Sequence, residues 1–355
     1  MKQIIFLAFV ICITAVAVSA QTEKRNRDDI DQFNETKTNV FEFNKTAEEI
    51  LDQIEKDMPT DEQAKSSVVE KLMESISESE SESESPGRIR KRRVVQGPTA
   101  IDSRIEVRAF PLDTPWRAQY FSNVESVALV IERSLLNEVT DSFYRVDLSR
   151  TLAQVYSLCP EEPYGTQPVL GLGTCFVRDS TTMMTAAHVL DGPLKQYAVV
   201  FGHEMVLKSG FVNPFIRKEN VFFPEKILKR SDELDLAVFQ LDRHCNRAAL
   251  ALAEPNEVAT DADIYMIGHP SGLPKKAAFN AEITDASHPQ YFYTSLDAFQ
   301  GNSGSPVFSL KTHKVIGVLV SGGVDFQWRS GCNVSTVCRK PYCPGERVVR
   351  VMTME

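Results

Sequence analysis

The chain has 355 residues and is 43% hydrophobic, with 39 Lys and Arg against 48 Asp and Glu for a formal net charge of −9. That acidic balance gives no reason to expect a nucleic-acid partner. Beyond the first segment, no stretch is long and apolar enough to cross a bilayer.

Met1 to Ala20 carries Lys2, then an apolar run from Ile4 to Val18, then the small residues Val18-Ser19-Ala20. This is the pattern of a secretory signal peptide, and the run is short for an anchor. Residues 1–20 are therefore expected to be removed, leaving a secreted, extracellular protein with no membrane attachment. Cys12 leaves with them. The six cysteines that remain (Cys159, Cys175, Cys245, Cys332, Cys338 and Cys343) are an even set, which in a secreted chain suggests up to three disulfides with the pairing open. The group Cys332, Cys338, Cys343 has no nearby histidine and irregular spacing, so disulfides are favoured over a metal.

Residues 21–87 hold 19 Asp and Glu against 8 Lys and Arg, a net charge of −11, with few aromatics. Ala47–Met58 and Asp61–Ile76 are amphipathic enough for short helices. The alternating Ser-Glu run from Ser77 to Ser85 is low-complexity and acidic, and is expected to stay solvated and disordered as a spacer. The charge then flips at Arg88-Ile89-Arg90-Lys91-Arg92-Arg93. Behind a signal peptide and a spacer, such a block reads as a processing site rather than a nucleic-acid signal. It resembles the sites cut by furin-like convertases. Cleavage after Arg93 releases residues 21–93 as an acidic propeptide and starts the mature chain at Val94.

Residues 94–355 read as strands separated by turns. Val127–Glu132, Gly173–Val177, Tyr197–Phe201, Leu236–Leu241, Ile264–Ile267, Tyr291–Thr294, Ser305–Phe308 and Val315–Val320 are short runs rich in β-branched or aromatic residues. Turn signals such as Asp191-Gly192 and Ser271-Gly272-Leu273-Pro274 divide them, which predicts an all-β sandwich or barrel. Asn333-Val334-Ser335 is a glycosylation acceptor, as are Asn34 and Asn44 in the propeptide. No oxygen-rich loop suggests a metal, and no cofactor is expected.

Three segments carry candidate chemistry. Thr185-Ala186-Ala187-His188 ends a strand-like run in small residues and a histidine. Leu234-Asp235-Leu236-Ala237-Val238 places an acid at the mouth of an apolar strand, where it is costly unless hydrogen-bonded. Gly301-Asn302-Ser303-Gly304-Ser305-Pro306 sets a serine on a glycine-flanked turn, with the amides of Gly301 and Ser303 able to converge on an oxyanion. Each alone is weak: most lone histidines are structural, an Asp at a strand mouth is commonly a cap, and Gly/Ser runs are commonly linkers. Together they fall in the order His188, Asp235, Ser303, one of the known chain orders of a serine triad.

On these segments the chain resembles the trypsin-like, chymotrypsin-fold serine proteases over roughly residues 110 to 350. Its GNSGSP is closest in style to secreted glutamyl endopeptidases, where digestive enzymes carry GDSGGP. The resemblance implies two six-stranded antiparallel β-barrels with the active site between them, formed by a protease domain at 94–355. It implies Ser303 as nucleophile, His188 as general base, Asp235 as its orienting acid, and the amides of Gly301 and Ser303 as the oxyanion hole. Protein or peptide substrates, a furin-like processing protease and a monomeric state are expected of such a zymogen.

Two features depart from the patterns of these relatives. Asn302 stands where those enzymes carry the aspartate that pairs with the new N-terminal ammonium, so that pair cannot form. Leu319 and Ala298 occupy places where glutamyl endopeptidases carry a histidine and a threonine, so glutamate preference is not expected. Asp297, six residues before Ser303, stands where an aspartate at a pocket base selects Arg or Lys, with Ser321 and Gly323 on the pocket wall. A turn or structural role for Asp297 is an equal alternative. Other outcomes left open are an active protease of acidic or apolar specificity, and an inactive homologue that binds extracellular partners.

Overall fold

The computed structural model describes residues 102–111, 114–205, 212–338 and 344–351. The expected signal peptide and propeptide, the expected processing point at Arg93 and Val94, and Asn34 and Asn44 lie outside the described residues.

The described chain forms two large antiparallel sheets. The first runs Pro224–Ser231, Leu236–Leu241, Thr182–Ala186, Gly173–Val177, Val127–Glu132, Tyr197–Val200, Val221–Phe222. In the second, Lys276–Asp285 pairs with Asp263–Gly268, and the order continues through Pro306–Ser309, Val315–Ser321, Glu346–Arg350 and Tyr291–Thr294. Tyr291–Thr294 pairs back onto Lys276–Asp285, so these six strands close into a barrel, with Arg104–Glu106 added at the Lys276 end. The double-barrel expectation holds with one correction: the first sheet has seven strands and curls without closing.

The sequence places most of these strands because their residues serve two packed faces. In Val127–Glu132, Ala128 and Val130 belong to the large core shared by both sheets, while Leu129 and Ile131 face a second cluster with Ala198, Val200 and Ile216. All four are fully buried, each contributing roughly 1 to 3 kcal/mol by the area it removes from water. Strands of mixed charge were not legible. Pro224–Ser231 and Lys276–Asp285 lack the continuous β-branched runs of their neighbours and are held by pairing with Leu236–Leu241 and Asp263–Gly268.

The cysteines narrow the expectation of up to three disulfides. Cys159 and Cys332 are bonded at a Cα separation of 5.0 Å, and Cys338 is also disulfide-bonded. Cys175 and Cys245 are free and buried, so the full three-bridge set is not made. Cys175 sits inside a strand as a small apolar residue, and burial pushes its thiol well up, away from the reactive thiolate.

Candidate active site

His188 and Asp235 are brought together by strand register. Leu236 pairs with Ala186, so the residue before one and the residue two after the other meet at the same end of the sheet. Just past the strand, Ala187–Leu190 turns as a 3-10 helix and carries His188 out. Asp235 ties this corner twice. Its Oδ1 accepts the His188 backbone N–H at 2.9 Å, and its Oδ2 lies 2.6 Å from Nδ1 of the His188 ring. Its own carbonyl accepts the Ala187 N–H at 3.0 Å. To do this Asp235 adopts φ 56°, a left-handed conformation that costs a non-glycine residue about 1 kcal/mol. The hydrogen bond to Asp235 raises the His188 pKa above its ordinary value, partly offset by desolvation. The ring remains accessible, with 45% of the side chain exposed.

The serine turn is locked against the opposite sheet. The Thr174 N–H donates to the Ser303 carbonyl at 2.9 Å, and the Thr174 hydroxyl donates to the Gly301 carbonyl at 2.9 Å. Gly304, at φ 89°, lies so close to the Thr174 carbonyl and Thr185 hydroxyl that a Cβ there has no room. This contact sets Ser303 beside the strand end that leads into His188. The N–H of Asn302 closes a turn on the Phe299 carbonyl at 2.9 Å, and that of Ser305 closes the next on Asn302 at 2.8 Å. The amides of Gly301 and Ser303, between these turns, donate to no acceptor among the described residues.

Residues 173–318, which span all three segments, match the family model of the trypsin-like peptidase domain. The chain carries a trypsin-like serine peptidase domain. The active form of the Rv3671c protease from Mycobacterium tuberculosis is similar in structure at 17% identity and TM-score 0.40, over 76% of this chain and 90% of that one. A serine endoprotease from Yersinia pestis aligns at 14% identity and TM-score 0.39, over 64% of each chain. The VesB protease of Vibrio cholerae aligns at 13% identity and TM-score 0.39, over 64% of this chain and 60% of its own. No curated protein matches the chain in sequence.

Beside Ser303 the peptidase has a cavity of about 330 Å³. Ser321 and Gly323 line it, as expected for the wall. Asp297 does not line it. Its buried carboxylate instead accepts the Ser103 N–H at 2.7 Å, which holds the segment leading into Arg104–Glu106 against this region. Arg104 follows, its guanidinium paired with Asp102 at 2.6 and 2.8 Å and lying over the Phe299 ring at 3.9 Å. The acids that do line the cavity are Asp325 and Glu346, which the sequence reading missed. No local pattern marks them: the strand Glu346–Arg350 is charged at three of its five positions, so its acid does not stand out.

Asn302 is buried under Gly268 and Ser305, with its amide nitrogen unpartnered among the described residues. Asn333 is half-buried, and its side-chain amide donates to the Tyr156 carbonyl at 2.7 Å. Attachment of a glycan there has to precede or disturb that contact. Among the described residues, no group of three His, Cys, Asp or Glu side chains is arranged to hold a metal ion.

Proposed function

We propose that the peptidase is a secreted endopeptidase made as a zymogen, which hydrolyses peptide bonds through His188, Asp235 and Ser303. Ser303 Oγ attacks the scissile carbonyl, forming an acyl-enzyme. His188 accepts the hydroxyl proton at Nε2 and returns it to the leaving amine. Asp235, hydrogen-bonded to Nδ1, fixes the tautomer that leaves Nε2 free to accept and stabilises the imidazolium without taking the proton. The amides of Gly301 and Ser303 bind the developing oxyanion, each worth roughly 3 kcal/mol in the transition state. The observation that carries this reading is the double tie of Asp235 to His188, at ring and backbone, beside a serine turn clamped by Thr174.

Secretion and processing rest on the sequence: the signal-like residues 1–20 and the basic block ending at Arg93. With a neutral Asn302, and with Asp297 satisfied by Ser103, removal of the propeptide acts by uncovering the site rather than by building an ammonium–carboxylate pair. A fluorophosphonate probe tests the chemistry. The processed protein is expected to label, and Ser303→Ala to abolish the label. Absence of labelling, or labelling that survives Ser303→Ala, refutes the triad and favours the inactive homologue.

A further inference from the structure

The cavity beside Ser303 holds a carboxylate that the fold leaves unneutralised. Glu346 is only 3% exposed, and a buried carboxylate without a cation is costly. Among the described residues its one side-chain hydrogen bond is a long one, from the Gly323 N–H to Oε1 at 3.5 Å. Among the described residues, Oε2 has no hydrogen-bond donor and no ion pair involves the side chain. Gly322 lies directly against the carboxylate, where a Cβ would collide with both oxygens. The chain therefore uses its smallest residue where any other would cover the acid.

The surrounding charges do not compensate it. Asp325 lines the same cavity, its Oδ2 accepting the Gln300 N–H at 2.7 Å, and Asp297 acts on Glu346 from behind. Arg104 is the nearest cation acting on Asp325, but its guanidinium is already held by Asp102 and stacked on Phe299. Tyr156 adds a phenol facing Asp325. The rest of the lining is mixed: Phe299, Leu319 and Val324 are apolar, Gly322 and Gly323 are bare, and Gln300 and Ser321 add polar groups. Apolar stretches of wall beside an unpaired carboxylate suit a long aliphatic stem that ends in a positive charge.

We propose that this cavity takes a lysine or arginine side chain of the substrate, and that Glu346, assisted by Asp325, reads its charge in place of Asp297. The inference rests on Ser303 being the nucleophile only for its meaning in catalysis; the cation site itself does not depend on it. Burial pushes the Glu346 carboxyl well above the usual range, and Asp325 and Asp297 push it further. Burial also raises Asp325, to about 6. An arriving cation favours the ionised forms, so binding releases protons and tightens as pH rises.

The test uses processed Ser303→Ala protein and two probes of one shape, the cation benzamidine and neutral benzamide, titrated by calorimetry. Benzamidine is expected to bind at least about 10-fold tighter than benzamide, with that preference growing from pH 5 to pH 8. Adding Glu346→Gln is expected to lower the benzamidine-to-benzamide ratio at least about 10-fold, to near unity. A preference that is absent or flat with pH in the Ser303→Ala protein overturns the proposal without any change in the pocket. So does a ratio that Glu346→Gln leaves intact.

In the active protein, peptides differing only in Lys, Leu or Glu before the scissile bond give the second readout. Lys is expected to be preferred, and Glu346→Gln to collapse the Lys-to-Leu ratio; preference for Leu or Glu overturns the proposal. Benzamidine binding without any cleavage sinks the endopeptidase reading and supports this one. Labelling of Ser303 in a protein indifferent to benzamidine does the reverse.

Discussion

Asp235 and Glu346 are both acids beside the same serine turn, yet they live in opposite surroundings. Asp235 is partly exposed and spends its two oxygens on His188, one on the ring and one on the backbone. Glu346 is almost fully buried, meets only a long contact from Gly323, and has further acids for neighbours. The first carboxylate is satisfied by the fold and can only orient. The second is left unsatisfied, and the missing partner has to come from outside the chain. The contrast shows why counting acids near a catalytic serine says little until each one's hydrogen bonds are known.

The sharpest way to break this comparison is to remove the charge of Asp235. Asp235→Asn is expected to cut kcat by about 10⁴-fold for every peptide alike, because the amide favours the wrong His188 tautomer. Glu346→Gln, in contrast, changes which peptide is cut. Equal losses on Lys and Leu peptides from both variants would erase the distinction. A smaller effect is expected from the Cys159–Cys332 bond. Cys332 opens the strand that pairs with Phe326–Arg329, immediately after Asp325, and the Thr336 N–H donates to the Asp325 carbonyl. Replacing both cysteines by alanine is expected to cost about 2 to 4 kcal/mol in denaturant unfolding and to weaken benzamidine binding. An unchanged unfolding midpoint would show that the bond does not hold the pocket.

Two pH measurements follow. His188 must be neutral to accept the proton, and its pKa is raised by Asp235, so kcat/KM is expected to fall as pH drops through a midpoint above 6.5. A midpoint at or below 6.5 contradicts the close pair. His203 is different: it is buried, and desolvation, followed by the charges of Lys276 and Lys275, lowers its pKa to about 3. The unfolded chain binds that proton first, so stability is full above about pH 6.5 and is lost as pH falls toward 3. By pH 5 the loss is roughly 2 kcal/mol, read as a lower urea midpoint. His203→Gln is expected to make that dependence shallower but not flat, because burial also lowers the pKa of His269; an equally steep one would assign it elsewhere.

The segments of the proposed triad stand out in the sequence because they are local. Small residues before His188, an acid at the mouth of Leu236–Leu241 and glycines around Ser303 are each required by a turn or strand end within a few residues, and their chain order did the rest. Most strands were legible too, because continuous apolar runs such as Val127–Ile131 serve two cores at once. The charged strand Pro224–Ser231 was not, since its partner strand and not its own composition keeps it extended.

The sequence left Asp297 evenly between a pocket base and a structural acid, because spacing along a chain does not say which way a buried carboxylate turns. Its carboxylate accepts the N–H of Ser103, nearly two hundred residues earlier, and Asp297 does not line the cavity. Glu346 enters from the other direction, on a strand paired with Val315–Ser321, and Gly322 leaves its oxygens uncovered. The sequence by itself determined which residues could perform acyl transfer, because nucleophile, base and oxyanion donors depend on short-range geometry. Only the tertiary structure decided which acid faces the cavity, because that depends on contacts between distant segments and on which carboxylate the fold leaves without a partner.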